Sequence, residues 1–183
     1  MKIKKLAISL TVLFFLWTAV IFYFSSQPPE VSHSQSRIVV QIIGGINNIF
    51  DFTDTGFFVK IENVLGDFRF LDKYKTPNAL VRKSAHFGIY FILGIIACAF
   101  GYTYTRKILI AFLLGGSLPV VVAVLDEYNQ SQIGRTSSLT DVLIDGGGAL
   151  TGTIFWIFLI LIFKFISFIK GRIRSKSRKK NTI

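Results

Sequence analysis

Four apolar runs of similar length set the pattern of this chain. Residues 6–24 carry no charge, 84–104 carry only His86, 108–125 carry none, and 142–163 carry only Asp145. A helix rising about 1.5 Å per residue needs roughly 20 residues to cross the hydrocarbon core of a bilayer, and each run is close to that length. The pattern predicts an all-α integral membrane protein, a single domain over residues 1–183 with four transmembrane helices. Between the third and fourth runs, the stretch from Leu125 to Asp141 reads as a polar turn with acids at the helix ends.

The first run follows Lys2, Lys4 and Lys5, as a signal peptide would. It is about twice as long as a short signal core, and Phe24-Ser25-Ser26-Gln27-Pro28-Pro29 offers no small-x-small cleavage site, so it reads as an uncleaved anchor. Residues 25–79 form the one sizeable non-spanning segment. Within it, 37–50 and 57–71 place apolar residues at three- and four-residue spacings, which predicts an extracytoplasmic loop of short amphipathic helices lying in the interface or capping the bundle. In the third run Pro119 follows Gly115-Gly116-Ser117-Leu118; a proline lacks its donor and crowds the carbonyl four residues back, so a kinked third helix is expected.

Charge gives the orientation. The chain has 21 Lys and Arg against 10 Asp and Glu. Thirteen of those bases and none of the acids fall at the N-terminus, at Arg106 and Lys107, or in the tail 164–183, which predicts cytoplasmic termini and an outward-facing polar turn. The basic tail is then a contact for anionic inner-leaflet lipids, each base near the surface contributing about 1 kcal/mol, and no nucleic-acid footprint is expected. Cys98 is the single cysteine, which excludes an intrachain disulfide and offers no metal pair.

The candidate chemistry lies at the outer helix ends. Arg82, His86 and Tyr90 follow one another at four-residue steps on the second helix, and Asp141, Asp145, Gly148 and Gly152 form a stripe on the fourth, where the glycine spacing permits close helix approach. Asp126, Glu127 and Gln130 end the third run, and Arg135 follows in the turn. Taken singly, snorkelling bases, a hydrogen-bonded core histidine and a helix-capping Asp141 would account for several of these residues. Taken together they would be costly facing lipid, because insertion of one Asp, Lys or Arg at a helix centre costs about 2.5–3.5 kcal/mol. Together with Lys83, they are expected to converge in a water-accessible pocket of formal charge −1 with His86 neutral.

In that order, Phe24-Ser25-Ser26-Gln27, Arg82-Lys83-x-x-His86 with Tyr90, Asp126-Glu127-x-x-Gln130, Arg135, Asp141 and the glycines through Gly152 resemble the VanZ-like family of bacterial membrane proteins, associated with teicoplanin resistance. Asn129 stands where similar sequences often carry His, so any step needing that imidazole would be absent. The resemblance implies a cell-envelope protein that lowers susceptibility to lipoglycopeptides; it implies no agreed reaction.

Roles for the residues come from their chemistry. Arg82, Lys83 and Arg135 would hold the anionic headgroup of a lipid or lipid-linked envelope component, while Asp126, Gln130, Asp141 and Asp145 complete the binding site with Glu127. An alternative is an intramembrane enzyme on such a lipid, with Glu127 as general base and His86 as general acid. A third reading is a structural or partner-assembly protein in which the charges only fix helix register. The acids could hold a divalent cation through oxygen ligands, but balancing bases lie nearby, and neither a metal nor a cofactor is expected.

Overall fold

The computed structural model describes residues 2–28, 31, 34, 41, 77–133 and 138–180. It contains four long helices: α1 (Lys2–Ser25), α2 (Pro77–Thr105), α3 (Ile108–Gln132) and α4 (Leu139–Lys180). Each is long and apolar enough to cross a membrane. In hydrocarbon no water satisfies backbone N–H and C=O groups, so spanning segments of this composition must close their hydrogen bonds internally as helices. Apart from residue 41, the expected outer-loop helices over 37–50 and 57–71 lie outside the described residues.

Helix ends differ from the hydropathy boundaries in three places. Helix α2 begins at Pro77, where a first-turn proline forfeits no hydrogen bond. Helix α3 continues past Leu125 to Gln132 with Pro119 inside it, so Asp126, Glu127 and Gln130 are helical residues and only residues 133–138 join α3 to α4. Their apolarity ends before their helix does, because all three are buried against the bundle. Helix α4 extends the fourth apolar run through the basic tail to Lys180.

Helix α2 is the centre of the bundle and packs against all three others. Contacts between Phe87 and Gly148 and between Phe91 and Gly152 advance together along both chains, so α2 and α4 run parallel. Helix α3 runs opposite to them, with Gly101 against Ala111 and Cys98 against Gly115. Trp17 Nε1 donates to the Ile89 carbonyl at 2.9 Å and ties α1 to α2. The turn between α2 and α3 is short: the Arg106 N–H bonds the Tyr102 carbonyl at 2.8 Å and Arg106 takes φ 60°, the left-handed conformation that commonly closes a helix.

Ile21, Tyr90, Leu93, Val122, Ala123 and Ala149 form the core. Large apolar side chains such as Phe15 and Leu16 on α1 and Phe158 and Leu161 on α4 are exposed, as lipid-facing residues are. This up-and-down arrangement puts the end of α1, the start of α2, the end of α3 and the start of α4 at one end of the bundle. Lys4, Lys5, Arg106, Lys107 and Lys164 gather toward the other.

Candidate functional site

The site is built from the register of α2 against α4. A Cβ added to Gly148 would run into the Phe87 backbone, and one on Gly152 into that of Phe91. Only glycine lets the two backbones approach this closely, which is the use of small residues at helix interfaces in lipid. One to two turns earlier, the same faces carry charge. Lys83 Nζ pairs with Asp141 Oδ2 at 2.5 Å, and His86 Nδ1 faces Asp145 Oδ1 at 3.6 Å.

Helix α3 inserts a third set of side chains. Asp126 is fully buried, and its Oδ2 accepts from Tyr90 Oη at 3.3 Å and from Gln130 Nε2 at 3.2 Å. Glu127 Oε2 accepts from the Ser138 backbone N–H at 2.9 Å, so this carboxylate fastens the entry of α4 to the end of α3. The Ser25 hydroxyl at the end of α1 lies beside Asp126. At the edge of the cluster Asn129 Nδ2 donates to Ser26 Oγ at 2.9 Å, joining α3 to α1.

Several buried polar atoms have no hydrogen-bond partner among the described residues: Asp126 Oδ1, Glu127 Oε1, Asp145 Oδ2 and Arg82 Nε. Buried polar groups are ordinarily satisfied, and intramembrane charges mark functional positions. His86, Asp126 and Asp145 each present one ligand atom, and the three atoms lie within 4.8 Å of one another.

The structure thus brings together Lys83, His86, Asp126, Glu127, Gln130, Asp141 and Asp145 from three helices. Arg82 is half-buried on the same turn of α2 as Lys83, and Arg135 lies outside the described residues. Tyr90 was visible as the third member of the Arg82 stripe and as part of the family resemblance but was given no role, and it is fully buried and bonded to Asp126. Ser25 stood in the Phe24-Ser25-Ser26-Gln27 stretch of the resemblance without a role and Ser138 had no local signal, since each acts through a partner on another helix or beyond a helix end.

A second concavity lies at the opposite end of the bundle, between the C-terminal part of α2 and α4. It is lined by Tyr102, Thr103, Trp156, Ile160, Phe163, Lys164 and Ser167, with Lys164 Nζ over the Tyr102 ring at 5.4 Å from its centroid. Aromatic rings beside a long base are the usual composition of a membrane interface.

No curated protein and no solved structure matches the chain significantly. The sequence model of one family does match, over residues 10–169, and that stretch covers α2 and α3 entirely, most of α1 and α4, and every residue of the polar cluster. The chain is a multi-pass membrane protein of the VanZ/LLP1 family, a family linked to resistance to teicoplanin and related glycopeptides.

Proposed function

We propose that this protein lowers susceptibility to teicoplanin-type lipoglycopeptides from the cell envelope, and that its polar cluster recognises an anionic or lipid-linked envelope component. One observation carries this reading: polar side chains from three membrane helices converge at one bundle end and leave Glu127 Oε1 and Arg82 Nε without partners among the described residues. Groups that cost this much to bury are retained where a ligand completes them.

Charge placement supports an outward-facing cluster, with the basic end of the bundle in the cytoplasm and the tail of α4 against anionic lipids. Lys83 is already engaged by Asp141, so the anion-holding role falls to Arg82 and Arg135, with Glu127 to accept from a hydroxyl or amine. The test is teicoplanin and vancomycin susceptibility of a Gram-positive host expressing the wild type, Arg135→Ala or Glu127→Gln at membrane levels matched by immunoblot. The wild type should raise teicoplanin tolerance and the variants should not. Full resistance in both variants would overturn the proposed site, and a wild type equal to empty vector would overturn the resistance reading for this chain.

A further inference from the structure

We propose that His86, Asp126 and Asp145 bind one divalent cation of the manganese or zinc class, within the membrane-embedded cluster. The three side chains come from α2, α3 and α4, and their nearest ligand atoms lie within 4.8 Å of one another. That span is slightly more than twice a metal–ligand bond of about 2.1–2.3 Å, so one ion draws the three groups inward by a small displacement. His86 Nδ1 and Asp145 Oδ1 are 3.6 Å apart, too far for a hydrogen bond but close to the separation of two ligands on a shared ion.

The second observation is an unmet need for a partner. Asp145 is 1% exposed and its Oδ2 accepts no hydrogen bond from the described residues; Asp126 is 0% exposed and its Oδ1 accepts none from them either. Lys83, the nearest buried base by sequence, is engaged by Asp141. Two buried carboxylates therefore face one imidazole, and carboxylates withdrawn from water are stable only when neutralised. A divalent cation does this and satisfies the idle oxygens at once. The alternative is a proton shared between the carboxylates, which leaves no site for an ion.

The surroundings suit a ligand set. Tyr90 and Gln130 both donate to Asp126 Oδ2, which holds the carboxylate in orientation as outer partners of a metal site do. One imidazole and two carboxylates favour Mn2+ or Zn2+ over ions that prefer thiolate, and Cys98 is roughly three turns farther along α2. The inference does not rest on the envelope-ligand reading, since the ion binds in the absence of any lipid ligand; if that reading holds, the ion also supplies positive charge to it.

The experiment uses full-length protein purified in detergent, stripped with EDTA and titrated with Mn2+, the free ion being followed by electron paramagnetic resonance, and separately with Zn2+, followed by a zinc-sensitive dye. About one equivalent should bind, and Asp145→Asn and His86→Gln should weaken binding by roughly 10- to 100-fold or more. Asn129→Ala, which alters only the edge contact with Ser26, should leave affinity unchanged. Pulsed measurements on the bound ion should detect nitrogen coupling from the imidazole. That signal is read on the wild type itself, so the proposal remains open to refutation even if the ligand variants do not fold. Absence of nitrogen coupling, failure to bind Mn2+ and Zn2+ above the empty-micelle background, or folded ligand variants that bind like the wild type would each overturn it. Because no drug is present, this outcome is separate from that of the susceptibility test.

Discussion

Lys83 on α2 and Asp141 on α4 form a buried ion pair 2.5 Å apart, and they begin the register in which His86 then meets Asp145, Phe87 meets Gly148 and Phe91 meets Gly152. Removing one partner leaves the other charge buried alone. Lys83→Ala and Asp141→Ala should each destabilise the protein by about 3 kcal/mol or more, whereas Lys83→Met combined with Asp141→Leu should recover most of that loss. Thermal unfolding in detergent across the double-mutant cycle measures the coupling. Additive effects would mean that the pair does not set the register.

Asp126 is held by donors from its own helix and from α2. Tyr90→Phe keeps the ring in the core and deletes only the hydroxyl that reaches Asp126. The expected cost is about 1–2 kcal/mol, since the acceptor is a carboxyl group although interhelical hydrogen bonds in membranes are often weaker. An unchanged unfolding midpoint in Tyr90→Phe would remove this bond from the account of stability.

Glycines on these helices divide by what surrounds them. Gly148→Ala and Gly152→Ala bring a methyl group against the backbones of Phe87 and Phe91, which cannot give way as a flexible side chain would, so each should cost about 1–3 kcal/mol and reduce membrane protein level. Nothing lies within 4 Å of a Cβ at Gly116. Gly116→Ala should therefore be neutral or stabilise by up to about 1 kcal/mol through helix propensity. Equal behaviour of the two classes in the same unfolding assay would contradict close α2–α4 packing.

Orientation is testable with one reactive thiol at a time. In a Cys98→Ala background, Ser131→Cys near the polar end should react with a membrane-impermeant maleimide on intact cells. Ser167→Cys, exposed on α4 toward the basic end, should react only after permeabilisation. The reverse pattern would place the polar cluster in the cytoplasm.

Much of the fold was legible in the linear pattern. The four helices follow from runs of about twenty apolar residues, because an unsatisfied backbone in hydrocarbon is too costly for any open alternative. The ends were less legible. Hydropathy stops at Leu125, but α3 continues through Asp126, Glu127 and Gln130 because buried partners replace the solvent these groups would otherwise need. Helix α4 likewise outruns its apolar stretch along the tail.

By itself, then, the sequence determined that this is a membrane protein with four helices of spanning length, which residues are polar within it, and which of them share a helix face, since a period of 3.6 residues places Arg82, His86 and Tyr90, or Asp141 and Asp145, on one side. Only the tertiary structure decided the partners: Lys83 with Asp141, His86 with Asp145, Tyr90 with Asp126, and Glu127 with the Ser138 N–H. The reason is that periodicity defines a face but neither the rotation of one helix against the next nor their relative height. Those are set where backbones touch, and here that is where Gly148 and Gly152 receive Phe87 and Phe91.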